Sequence, residues 1–349
     1  MSADSYQTAG RNQGGGTRAT VRPRATGSLA GEFFAEREIN SQIGLNDTPE
    51  SLWEWLRDGA ESSHSAGCPV LPHSSAENIF YRGQSNADHG LSSSLFRVLS
   101  ASVSRVTEYR MAKVEEHILQ VMRRQGLGRL MTDGQLLGLL QHHGIPTRLI
   151  DVSKSPMESL FFAVDQDHDL DGRLFVIQLH PSDDGEIDTI NLSDQHQLEW
   201  ANAARGEQYA KSSWTGRVAV IDPQDLDPRM RAQRGCFLVG GLIASYSRRQ
   251  MQFHGRVLAA EDLAKITTLS IRFPQRNAPG KAWSATAWTV RIPARWKRPL
   301  NDLLKREKDP ITKDTMYPPL AEVKRLAISK ADELSRTTWV TKKRQRSPS

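Results

Sequence analysis

Gln141-His142-His143-Gly144-Ile145-Pro146-Thr147-Arg148-Leu149-Ile150-Asp151 separates two apolar helical patterns and concentrates polar chemistry between them. Before it, Leu136, Leu137, Leu139 and Leu140 follow Asp133, which reads as the helix cap, and Gly144 stands where a left-handed helix stop belongs. After it, Ser155-Pro156-Met157-Glu158 reads as a capping box with proline at the first helical position, opening the apolar run Leu160 to Val164. Pro146 biases Ile145 toward an extended form, so Gly144 to Ser155 is predicted to be a short extended connector.

Working outward, Ile79-Phe80-Tyr81 reads as a strand ending at Arg82-Gly83. Val103, Val106, Met111, Val114, Ile118 and Val121 recur at helical spacing, which predicts an amphipathic helix lying against a sheet. Thr48-Pro49-Glu50 starts a short helix with Leu52, Trp53 and Leu56 as its apolar stripe. Leu174 to Leu179, Val218 to Ile221, Leu269 to Phe273 and Ala287 to Ile292 read as further strands, and Ser193 to Ala210 as a polar helix. Residues 294 to 335 return to helical patterning broken by Pro299, Pro310 and Pro318-Pro319. These elements predict an α+β fold: one main domain over 48–335, with a central mixed or antiparallel sheet flanked by helices. Residues 1–30 and 336–349 hold few large apolar side chains and are predicted to be disordered.

The chain of 349 residues is 25% charged with a formal charge of +6, but the tails carry the excess. Arg11, Arg18, Arg22 and Arg24 face only Asp4 at one end, and Arg336, Lys342, Lys343, Arg344 and Arg346 face no acid at the other, so the body between is slightly acidic. No apolar run approaches the roughly 20 residues of a membrane helix, and no secretory leader pattern is present, so a cytoplasmic protein without a membrane partner is expected. Two cysteines, Cys68 and Cys236, exclude a disulfide scaffold and a cysteine-rich zinc site. The acidic run Asp165 to Gly172 has the spacing of a calcium loop from Asp167, but its twelfth position is Gln178, which supplies no bidentate carboxylate; a helix-to-strand turn and no metal are predicted.

Two constellations carry chemistry. In the connector, His142 is a candidate proton donor or acceptor at a helix C-terminus, while Asp151 orients it or Arg148; Thr147 and Arg148 are candidate ligand-binding groups. The structural alternative pairs Arg148 with Asp151. In Phe80-Tyr81-Arg82-Gly83-Gln84, a strand delivers Arg82, a bidentate anion donor, with Gln84 beside it. The structural alternative makes Arg82 a loop clamp. A third feature is the run of six arginines, Arg229, Arg231, Arg234, Arg248, Arg249 and Arg256, interleaved with Phe237, Tyr246 and Phe253, which has nucleic-acid-binding character.

The ordered set Phe80-Tyr81-Arg82-Gly83-Gln84, then Leu139 to Asp151, then Ser155-Pro156 with Leu160-Phe161-Phe162-Ala163, resembles the FRG domain family of bacteria and phages. Arg231 to Phe237, Ile292-Pro293 and Tyr317-Pro318 resemble its later parts, extending the likeness over about 78 to 330; Asp151-Val152-Ser153 departs from the family's Asp-Trp-Thr. Tyr81-Arg82-Gly83 is also similar, more distantly, to the phosphate-holding strand of ADP-ribosyltransferases. That likeness implies a nucleotide or NAD as ligand and a transferase-like reaction, with Gln233 at the reacting group. No Glu-x-Glu pair follows that strand in the chain. The expectation is therefore a cleft formed by Arg82, Gln84, His142, Thr147, Arg148, Asp151 and Gln233 that takes a phosphate-bearing small molecule. The alternative is a non-enzymatic module that docks nucleic acid through residues 229–256.

Overall fold

The computed structural model describes residues 27–45, 47–58, 78–182, 185–192, 216–223, 228–245, 250–274 and 283–317. Residues 1–26 of the expected leader, the expected tail 336–349, the last part of the helical stretch 294–335 from Pro318-Pro319 on, the polar helix of 193–210, Cys68, Tyr246, Arg248 and Arg249 lie outside the described residues.

Eight strands form one mixed sheet. In chain order they are β1 (Ile79–Gln84), β2 (Ile150–Ser153), β3 (Gly172–Leu179), β4 (Thr189–Ile190), β5 (Ala219–Ile221), β6 (Gly235–Val239) and, after a two-stranded hairpin β7 (Gln252–Phe253) and β8 (Arg256–Val257), β9 (Ile271–Arg272) and β10 (Ala285–Ile292). The sheet order is β4-β5-β6-β2-β1-β3-β10-β9, antiparallel except for β4 with β5 and β9 with β10. The predicted α+β class with a central mixed sheet flanked by helices is thus the observed one.

Strand alternation builds the two central cores. Ile79 and Tyr81 of β1 and Leu174 and Val176 of β3 face one layer, while Phe80, Phe175 and Ile177 face the other. The first layer receives α2 (Pro49–Asp58), α6 (Pro156–Val164) and a late helix, Ala294–Arg306. The second receives α1 (Leu29–Ala35) and the helix Ala260–Ile266. A third core forms where α4 (Glu108–Arg124) and α5 (Asp133–His142) lay Ala112, Leu119, Leu136 and Leu140 on Phe237, Val239 and Ile221 of the β5–β6 side.

Several local readings need correction. The fold begins before residue 48 and inside the supposed leader: Ser28 caps α1, and Phe33 and Phe34 are buried against Phe253, Phe273 and Phe175. Two fully buried phenylalanines contribute about 1.5–3 kcal/mol each, which offsets the ordering of a short helix. Val103 does not open α4. It ends α3 (Ser94–Ser102), and Thr107 caps α4 by accepting from the Arg110 amide. Thr132, rather than Asp133, caps α5, in a reciprocal box with Gln135. Ser155 precedes α6 without a side-chain cap bond, so that helix starts on Pro156, and Glu158 instead faces Arg234 at 3.4 Å. Pro299 does not break the late helix. The helix runs through it because Trp296, Leu300 and Leu304 are buried on one face, and three such burials at about 1.5–3 kcal/mol each exceed the roughly 3 kcal/mol proline penalty.

Arg148 is the largest correction. Its side chain is only 1% exposed and does not pair with Asp151. Nε donates to Glu115 at 2.5 Å, Nη1 to Glu108 at 2.7 Å, and the Arg148 amide to Glu115 at 2.8 Å. The other Glu108 oxygen accepts from the Leu242 amide just beyond β6. Thr147, also buried, is held by Ser94: its amide donates to Ser94 Oγ at 3.1 Å. Both side chains are spent on partners inside the protein.

Replacing Arg148 by Met leaves two buried carboxylates without their shared guanidinium, so unfolding free energy is expected to fall by about 3–5 kcal/mol. Urea denaturation measures it, and a loss below about 1 kcal/mol would show that the pair is dispensable. Gly83→Ala should also destabilise strongly, since a Cβ there collides with the Ser159 carbonyl and the Ala163 amide of α6. Gly144→Ala, where only the backbone angle of +75° opposes a side chain, serves as the milder control.

Candidate functional site

The sheet splits at its centre. β1 meets β2 at one pair, Tyr81 opposite Ser153, although β1 is paired with β3 through Gln84 and β2 with β6 throughout. Beyond Tyr81 the two halves part, and a cleft of about 450 Å³ occupies the gap. That volume lies within the roughly 300–1,000 Å³ range of small-molecule sites. Arg82, Gly83 and Gln84 form one wall, Asp151, Val152 and Ser153 the facing one. His142, Arg229 and Gln233 close one side; Ser159, Phe162, Asp165 and Gln166 of α6 and its exit turn close another.

Of the seven site residues read from sequence, Arg82, Gln84, His142, Asp151 and Gln233 come together here, and Thr147 and Arg148 do not line the cleft. Arg82 bridges the split by donating from Nη1 to the Asp151 carbonyl oxygen, with the Asp151 carboxylate 3.8 Å away. Its Nε is buried without a hydrogen-bond partner. Burial lowers the Arg82 pKa, and Asp151 opposes that shift. Arg82 therefore clamps the connector, as its structural alternative expected, and also lines the cleft.

Asp151 is oriented by a relay. Gln141 Nε2 donates to its carboxylate at 2.6 Å, and Gln141 Oε1 accepts from Thr147 Oγ1 at 2.6 Å. Thr147 thus acts at one remove, through Gln141. Gln233 spends its amide N–H on the Met316 carbonyl at 2.9 Å, which docks the turn carrying Tyr317 onto the cleft.

Sequence reasoning missed two residues of the cleft, Arg97 and His89. Arg97, from α3, lines the cleft and donates to the Ser92 carbonyl at 2.5 Å. Burial lowers its pKa, nearby Arg82 lowers it further, and Asp151 opposes. His89 lies beside them; burial holds its imidazole below the usual value, Arg97 pushes the same way, and Asp167 and Asp88 oppose. The neutral ring is favoured. Arg229 stacks its guanidinium 4.2 Å above the Tyr317 ring. No motif marks Arg97 or His89, because only the Gly83-to-Ser94 path through the turn brings them back to the β1 end. Among the described residues no cluster of His, Cys, Asp and Glu has the makings of a metal site.

The described arginines of the segment fall at different places. Arg229 is in the cleft, Arg234 pairs with Glu158, and Arg256 sits on the separate β7–β8 hairpin. Phe237 and Phe253 are core residues, so neither offers a ring for base stacking. Cys236 is buried, and burial pushes its thiol up to about 12, which makes it unreactive. No helix among the described residues is long and apolar enough to cross a membrane.

The FRG domain family matches residues 77–172. That span begins just before β1 and ends at the first residue of β3, so it contains both strands of the split, the connector, α6 and the turn bearing His89. The stretch around Gln233 and the Tyr317 turn, which the sequence likeness also took in, lie outside it. No curated protein and no solved structure matches the chain. The residues that open the sheet and furnish most of the cleft are thus the ones that match the FRG domain family, 77–172.

Proposed function

We propose that the cleft binds a small phosphate-bearing molecule, with a dinucleotide such as NAD as the leading candidate, through Arg82 and Arg97. The observation that carries this reading is the buried Arg82 Nε, a charged donor without a partner beside a second guanidinium in a cleft of ligand size. A guanidinium already fixed by one bond loses little freedom when it receives an anion, so binding there is pre-organised. In the enzymatic form of this reading, His142 moves a proton at the bound ligand, while the carboxylate of Asp151, held by Gln141, faces positive charge that develops during transfer or cleavage. Gln233 then serves as a wall that keeps Tyr317 in place.

Calorimetric titration with NAD and with inorganic pyrophosphate tests the reading. Both are expected to bind with only modest loss of affinity between low and physiological salt, because few phosphates are engaged. Arg82→Lys keeps the charge and a donor for the Asp151 carbonyl but loses the planar fork, so affinity should fall at least about tenfold while the melting temperature changes little. Absence of binding by the parent, together with tight and steeply salt-dependent binding of an oligonucleotide, would replace this reading with nucleic-acid docking.

A further inference from the structure

Arg82 and Gln84 are two residues apart on β1, so their side chains leave the same face of the strand about 7 Å apart, while Gly83 between them faces α6. Both end in an unanswered polar atom, and the two are of opposite kind. Arg82 Nε is a buried donor without a partner; Gln84 Oε1 is a buried acceptor without a partner. Gln84 is 8% exposed and lines the cleft. Its amide cannot be satisfied by turning over. Nε2 is anchored on the Gly90 carbonyl at 3.2 Å, and Gly90 is itself pressed against the Lys265 carbonyl, with Leu91 bonded to the Ile266 carbonyl at 2.8 Å. The carbonyl oxygen is therefore held facing a place with no protein donor. A buried acceptor left unpaired is costly, and a site keeps such a group when a ligand supplies the missing donor.

We propose that Gln84 is a specificity-determining residue: the cleft selects phosphate esters that carry a hydroxyl or amino donor within a few bonds of the phosphorus, the phosphate on Arg82 and the donor on Gln84. This rests on the phosphate reading of the cleft and goes beyond it, since Arg82 and Arg97 alone would not distinguish a polyol phosphate from an alkyl phosphate. Gln84 acts in recognition, with no bond made or broken. The competing role is a brace for the turn at Gly90, in which Oε1 is a tolerated defect.

The two roles separate on a matched pair of probes, glycerol 3-phosphate and propyl phosphate, which share the phosphate and the three-carbon chain and differ in the hydroxyls. Titrated against the full chain, glycerol 3-phosphate is expected to bind roughly tenfold more tightly, the worth of one well-made hydrogen bond in a buried site. Gln84→Met should erase that preference by weakening glycerol 3-phosphate alone. Its melting temperature should move little, because the substitution removes one orphaned oxygen while releasing the Gly90 carbonyl. Equal affinity of the parent for both probes overturns the inference and leaves the phosphate site standing. An equal loss of both in Gln84→Met also overturns it, in favour of the brace. Binding of neither probe sinks the inference and the phosphate site together. The comparison on the parent decides the matter even if the variant does not fold.

Discussion

One guanidinium, that of Arg148, ties α4, the connector and the turn after β6 together at a single buried point. It takes Glu108 and Glu115 from α4, fixes the connector that carries it, and through Glu108 reaches the amide of Leu242 after β6. Charges this deeply buried are tolerated only when each is paired and hydrogen-bonded, so the arrangement admits one geometry. Its position decides where β2 runs, and β2 carries Asp151. The cleft therefore inherits its shape from a contact that lies outside it.

The opposite wall is fixed by a second buried cation. Lys297 donates to the carbonyls of Ser85, Gln166 and Asp167 at 2.6, 2.9 and 2.8 Å, satisfying all three of its N–H bonds. Ser85 follows β1 directly and Gln166 follows α6, and both line the cleft. Gly83 and Gly172 let α6 approach β1 and β3 more closely than any side chain would allow. Between two such rigid walls the sheet cannot zip shut past Tyr81, and Arg82 spans the gap in place of ladder hydrogen bonds. A ligand that enters meets groups held in position before it arrives, which lowers the cost of binding.

Much of this was legible in the sequence where the signal is local. The β1 strand, the helix stop at Gly144 and the extended connector follow from period, proline and glycine, while the meeting of Arg82 with His142 and Asp151 was an expectation attached to the family resemblance. The partners of Arg148 were not legible, because Glu108 and Glu115 precede it by forty and thirty-three residues on a helix whose apolar stripe gives no reason to single out two acids. Pro299 misled for a related cause: propensity argues for a break, and only the tertiary burial of Trp296, Leu300 and Leu304 reverses it. The places of Arg229, Arg234 and Arg256 were not legible either, because charge in sequence order says nothing of where a hairpin and a strand will carry each residue. The unpaired atoms of Arg82 and Gln84 have no sequence signature at all.

The claim that the split in the sheet is an anion site meets its most direct test in a crystal structure of the chain grown with ADP-ribose. A phosphate oxygen about 3 Å from Arg82 Nε, with Arg97 as second donor, is the predicted result. Phosphate held elsewhere on the surface, with Arg82 Nε still unpartnered, would contradict it.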